Sequence, residues 1–207
     1  MRRALCRLSI GFTLAALVTA LPSAVQAQTS GSAVIGGSPP EATLSVTVRA
    51  SVGASCAFVV GNAPAGTYSV GDVEGAYSID VPFSLRCNSP SRVGVVSDNG
   101  GLLAAGIPAV PTGYARLAPY QITLRLAGLL GSTAQETCQS PTLTASASGC
   151  TFRGPATSTR GLRLPAPSLG TAGSFLRISS PGYSEPGILI ASDAYADRLT
   201  VTISPAT

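Results

Sequence analysis

Four short stretches of this chain alternate apolar and polar residues with period two, and each is bounded by glycine, proline or cysteine. They are LSVTVRASV at 44–52, IDVPFSLRC at 79–87, YQITLRL at 120–126 and LTVTI at 199–203. Period two puts successive side chains on opposite faces of a strand, so each stretch has one dry face and one wet face. Leu44, Val46, Val48, Ala50 and Val52 share the dry face of the first, with Thr43, Ser45, Thr47, Arg49 and Ser51 opposite. The parity resumes after Gly53 with Cys56, Phe58 and Val60, which predicts a second strand from about Ala54. In the next stretch Ile79, Val81, Phe83, Leu85 and Cys87 face inward, while Pro82 on the other face signals an edge or a bulge. Tyr120, Ile122, Leu124 and Leu126 repeat the pattern, and so do Leu199, Val201 and Ile203, with Arg198, Thr200 and Thr202 facing water.

Shorter strands are expected at 92–96, closed by the turn Ser97-Asp98-Asn99-Gly100-Gly101, and at 174–179 and 187–191. Residues 128–172 show no clean period and read as long loops with short strands. No segment has the 3.6-residue apolar repeat of an amphipathic helix. With 23 Gly and 16 Pro in 207 residues, the composition suits an all-β domain with many turns, a β-sandwich.

The N-terminus reads as an export signal. Arg2, Arg3 and Arg7 precede the apolar run 8–21, and Ala24-Val25-Gln26-Ala27 offers a small-residue cleavage site. The apolar run is short for a bilayer span. Residues 1–27 are therefore expected to be removed, 28–41 to form a flexible leader, and 42–207 to form one domain. Without the signal, ten arginines face nine carboxylates, so the basic balance gives no reason to expect nucleic acid or a charged membrane as a partner. Four cysteines remain, Cys56, Cys87, Cys138 and Cys150, and an even number in an exported chain implies two disulfides formed in the periplasm or outside the cell. Three pairings are possible; strand parity favours Cys56–Cys87, which leaves Cys138–Cys150 to pin the irregular middle.

The chain contains neither His nor Lys. Ser-His-Asp, Cys-His and Ser-Lys catalysis, and zinc sites with imidazole ligands, are thereby excluded. Paired carboxylates would suffice for glycoside hydrolysis. However, Asp72, Glu74, Asp193 and Asp197 stand in turn-like or strand-end contexts and read as solvated loop carboxylates. Asp98-Asn99-Gly100 lacks the further ligands of a calcium loop and reads as a turn. Tyr195 reads as a packing tyrosine at a sheet corner. No catalytic residue, cofactor or metal is expected.

Five segments, taken in order, resemble the spore coat protein U domain family, which includes subunits of the archaic, Csu-like chaperone–usher pili. They are LSVTVRASVGASC, then VPFSLRC about thirty residues later, DNGG, ARLAPYQI and YADRLTVTI. The resemblance implies an immunoglobulin-like sandwich that lacks its last strand and is completed by donor-strand complementation. It further implies a periplasmic chaperone, an outer-membrane usher and neighbouring subunits as partners, and a surface fibre that serves adhesion and biofilm formation. Residues 42–52 would then be the donor strand, with Leu44, Val46, Val48, Ala50 and Val52 entering a neighbour's groove. On periodicity alone the same residues suit the first strand of a closed sandwich. The alternative function is a secreted or fibre-tip binding protein that recognises a glycan or a surface through its central loops.

Overall fold

The computed structural model describes residues 49–107 and 109–206. Leu44, Val46 and Val48, with the expected signal and leader, lie outside the described residues. Residues Ala50–Thr207 pack as one unit.

The unit is all-β. Its strands in chain order are β1 (Cys56–Phe58), β2 (Tyr77–Phe83), β3 (Leu85–Cys87), β4 (Ser91–Ser97), β5 (Leu102–Ala104), β6 (Tyr114–Ala115), β7 (Leu117–Ala118) and β8 (Gln121–Ala127). They continue with β9 (Thr133–Gln139), β10 (Leu162–Leu164), β11 (Ser168–Leu169), β12 (Ser174–Ser180), β13 (Ile188–Leu189), β14 (Tyr195–Ala196) and β15 (Leu199–Pro205). The only helical pieces among the described residues are two 3-10 turns, Leu129–Gly131 and Ser140–Leu143.

The strands form a β-sandwich. One layer has the order β2-β12-β8-β9 and the other β10-β4-β15, while β1-β3-β11 forms a further three-stranded sheet. Val81, Phe83, Leu85, Ile122, Leu124, Leu126 and Leu176 of the strands around β8 and β12 meet Val93, Val95 and Leu164 in a single buried cluster. The alternation in β2 and β8 is what builds it: Ile122, Leu124 and Leu126 are fully buried, and the residues between them are half-exposed. At roughly 1.5–3 kcal/mol per buried large aliphatic side chain, these residues dominate the stability of the domain.

The two flanks of the sandwich differ. On one flank, β9 and β10 end their respective layers, and Cys138 of β9 is bonded to Cys150. The chain after Cys150 drives Phe152 fully into the core, where its carbonyl accepts from the N–H of Val95 at 2.8 Å. Together β10 and 152–154 supply backbone partners along that edge of β4. On the other flank, among the described residues, β2 pairs only with β12, and β15 only with β4. Pro82 lies on this β2 edge, where its missing N–H costs no ladder bond.

The structure corrects several expectations. Residues 133–139 form a full seven-residue strand, β9, inside the stretch read as irregular. Its sequence TAQETCQ is polar at most positions because its outward face is wet and its inward face offers only Ala134, Glu136 and Cys138. Val60 does not continue the parity of Cys56 and Phe58: it is 99 % exposed. The chain turns there, with the Asn62 N–H donating to the Val59 carbonyl. The strand expected at 187–191 shrinks to the two-residue β13, which pairs in parallel with β6.

Cys56 is bonded to Cys87 across the β1–β3 ladder, and Cys138 to Cys150 over a separation of 12 residues. Closing these loops removes unfolded-state entropy. Replacing both cysteines of the first pair by Ala should cost about 3–4 kcal/mol, and of the second about 3 kcal/mol. Urea unfolding of purified residues 28–207 checks both; a loss under about 1 kcal/mol would contradict the expectation.

Candidate functional site

Between the unpaired edges of β2 and β15 lies an open groove of about 840 Å³. Tyr77, Ile79 and Val81 of β2, Leu176 and Ile178 of β12, and Leu199 and Val201 of β15 line it, with Leu102 and Tyr120 beneath. The two edge strands run the same way. Tyr77 and Leu199 begin at the end of the sandwich that carries Tyr120 and Asp197, while Phe83 and Pro205 point to the end where the Ala206 N–H donates to the Pro90 carbonyl.

Burial records the gap. The inward residues of β15, expected to be core, are only half-buried: Leu199, Val201 and Ile203 all keep partial exposure. Tyr77 and Ile79 of β2 do likewise, whereas Val81 and Phe83 further along are buried. Beyond the inner end, the Phe58 ring stands edge-on to Phe83 at 5.9 Å. Apolar side chains and backbone groups on two sheet edges thus lack partners along the same line among the described residues.

At the mouth of the groove one carboxylate bonds to both layers. Asp197 accepts from the hydroxyls of Tyr120 (2.7 Å) and Ser97 (2.6 Å) and from the backbone N–H groups of Asn99 (3.0 Å) and Arg198 (2.8 Å). Tyr120 precedes β8 in one layer and Ser97 ends β4 in the other, so this residue ties the layers together. The network closes on itself: the Ser140 hydroxyl donates to the Gly100 carbonyl and accepts the Tyr120 N–H, and the Gly100 N–H donates to Ser97. Gly100 and Gly101 are required at the turn. Gly100 has φ +73 and an added Cβ would stand 2.9 Å from the Thr144 methyl; at Gly101 it would stand 2.8 Å from the Ala118 carbonyl oxygen. Asp197 is therefore no solvated loop carboxylate, contrary to the sequence reading. The turn, the segment leading to Tyr120, and the Tyr195–Asp197 piece are distant in sequence and meet here.

Burial, and then the Asp197 carboxylate, hold the Tyr120 hydroxyl well above the usual phenol range. Burial alone pushes Tyr77 up to about 12. Tyr195 is half-buried and its hydroxyl donates to the Ile190 carbonyl five residues upstream, the corner role expected of it. Asp72, Glu74 and Asp193 are exposed and stand apart from this network. Among the described residues, no group of acids or cysteines is placed to hold a metal ion.

Residues 64–73 line the remaining side of the groove as a strap without strand structure. Most of them are exposed, and none between 66 and 73 bonds by its backbone to another described strand. Of the five residues expected to act as a donor strand, Ala50 and Val52 are described. Both are outside any strand and exposed, Val52 by 88 %, so neither packs into this domain's own core. Ile79, Val81, Tyr120, Leu199 and Val201 were read from the sequence as inward-facing strand residues, not as the lining of a groove. The available signal was Pro82, which marks β2 as an edge. No family model, no curated protein and no solved structure matches this chain.

Two outcomes test the site. Asp197→Ala leaves two inward-facing hydroxyls without an acceptor and should destabilise the domain by about 3 kcal/mol, with Tyr120→Phe milder at about 1–2; urea unfolding reads both. Because Tyr77 titrates near 12 in the folded chain against an ordinary 10, its burial contributes stability that is complete below pH 10 and lost as pH rises through 12. Stability followed across that window should fall less steeply in Tyr77→Phe.

Proposed function

We propose that this chain is an exported structural subunit of a surface fibre, in which a strand from a neighbouring subunit completes the sandwich. The groove between β2 and β15 carries the reading: it joins unpaired backbone on both sides to half-buried apolar side chains between them. An edge of this kind is an aggregation hazard unless another strand occupies it. The resemblance to spore coat protein U domain subunits supplies the occupant before and after assembly: a periplasmic chaperone first, then residues 42–52 of the next subunit. The two disulfides suit an oxidising, exported environment. No helix among the described residues is long and apolar enough to cross a membrane.

The position at which the chain enters the domain favours exchange between molecules. Asn88 clamps that point: its side chain accepts from the Ser55 N–H at 2.8 Å and donates to the Gly53 carbonyl at 2.9 Å. β1 then runs antiparallel to β3, toward the groove's inner end. Residues preceding Gly53 thus join the domain at the pole opposite the Asp197 mouth. To lie in their own groove they would have to reverse and pass β1.

The fibre reading predicts that deleting residues 28–52 leaves a domain that folds with its chaperone but no longer extends polymers. Val46→Asp and Val48→Asp should act alike, since an unpaired carboxylate in an apolar groove costs several kcal/mol. Thr47→Asp, on the wet face, should be mild. Co-expression with chaperone and usher, scored by heat-resistant multimers on gels, checks this. Equal polymerisation of the truncated chain, or equal behaviour of Val46→Asp and Thr47→Asp, would return residues 42–52 to a closed sandwich.

One observation favours the binding reading. At the tip between β8 and β9, Leu130 is fully exposed at φ +57, beside the exposed Leu129. A leucine held there costs about 1 kcal/mol or more and buries nothing within the domain. If the tip recognises a surface, Leu129→Ser with Leu130→Ser should abolish attachment of the purified protein to a hydrophobic surface while leaving multimers intact; unchanged attachment removes this reading.

A further inference from the structure

Ionised side chains sort to opposite poles of the domain. At the groove mouth stand the exposed Asp193 and the half-buried Asp197 with Arg198; Asp98 bonds to Arg198, and the exposed Asp72 and Glu74 line a second pocket that shares Gly71, Val73, Ser192 and Tyr195 with the groove. Their placement follows from the fold. Asp98 follows β4 and pairs its N–H with the Arg198 carbonyl; the Glu74 backbone carbonyl accepts from the Tyr183 N–H, two residues from Glu185 in the loop after β12. The opposite half carries Arg86 on β3, Arg92 on β4, Arg125 near the end of β8, and Arg160 and Arg163 at β10, with no carboxylate among the described residues. Charges between the poles are occupied locally. Arg177 makes a two-pronged ion pair with Asp80, Arg153 donates to the Ala145 carbonyl, and Glu136 accepts from Thr151.

A second feature of the basic pole points outward. Arg92 and Arg163 are directly opposite one another in the β4–β10 ladder. Like charges in that register are destabilising. Arg92 is tethered by bonds to the Ser158 and Gly161 carbonyls, neither of which neutralises it. Arg163 is exposed. A neighbour that brought carboxylates to this pole would relieve the repulsion.

The basic pole is where residues preceding Gly53 join the domain, and the acidic pole is where the groove opens. We infer that successive copies of this chain dock pole to pole by opposite charge, the arginine end of one steering onto the carboxylate ring at the groove mouth of the next. This rests on the fibre reading and adds to it. A strand leaving the basic pole of one copy enters the next at its acidic mouth, with residue 52 nearest the mouth and residue 44 deepest. It then runs antiparallel to both β2 and β15. Arg49, the one charge on the wet face of 43–52, comes to the carboxylate ring. The apolar groove sets how long the joint lasts, and the charges set how fast it forms and which end is accepted.

The experiment dilutes the mature chain, residues 28–207 with both disulfides intact, from denaturant and follows the rate at which heat-resistant multimers accumulate. Steered association weakens steeply with salt, so the rate should fall tenfold or more between about 0.02 M and about 0.3 M NaCl. Arg86→Glu with Arg163→Glu should slow assembly at low salt to a similar degree, and so should Glu74→Arg with Glu185→Arg. Mixing the two charge-reversed chains should restore the rate, because the reversed poles match again. Final multimers should be equally heat-resistant in every case. A rate indifferent to salt, or a mixture no faster than either variant alone, overturns the docking while leaving the fibre. If no multimer forms at any salt, the fibre reading falls and this inference with it.

Discussion

Among the described residues, backbone pairing stops at β2 on one layer and at β15 on the other, on the same flank, and much of the molecule follows from that. A sheet edge left open exposes a row of N–H and C=O groups and uncovers the side chains that the missing strand would have roofed. Here the second effect is visible residue by residue. Tyr77 and Ile79, and across the gap Leu199, Val201 and Ile203, have the inward parity of core residues without the burial of core residues. Val81, the last groove-lining residue of β2, and Phe83 beyond it are buried in the ordinary way.

The opposite flank shows what closure requires in this domain. It uses a disulfide from β9 to Cys150, a fully buried Phe152, and backbone bonds from 152–154 and β10 along β4. No comparable device lies between β2 and β15 among the described residues. There the strap 64–73 remains exposed and makes no ladder. At the mouth Asp197 bonds both Tyr120 and Ser97 and so links the two layers.

Much of the fold was legible in the sequence where a strand has one clearly apolar face. The inward residues of β2 and β8, the turn at Gly100-Gly101 and the inward parity of Cys56 and Cys87 could all be read that way. β9 was not legible, because an edge strand with Ala134 and Glu136 facing inward offers no hydrophobic contrast. Val60 was misread because parity carries no information about where a strand ends, and here Gly61 turns the chain at φ +80. Asp197 was misread for a different reason. Its two hydroxyl partners lie 77 and 100 residues earlier in the chain, and nothing local distinguishes it from a solvated carboxylate.

Alternation, turn chemistry and the absence of His and Lys are local or compositional properties, so the sequence alone determined an all-β domain without imidazole or lysine chemistry. Whether an apolar face is covered is a property of two strands, not of one. The period-two pattern of β15 is the same whether its outer edge is paired or bare. Only the tertiary structure therefore decided that this edge and the β2 edge are open together, that the motif-bearing segments converge at the groove mouth, and that acids and arginines part to opposite poles. Each depends on which distant segments chain topology brings side by side, and side-chain order along the chain does not encode that.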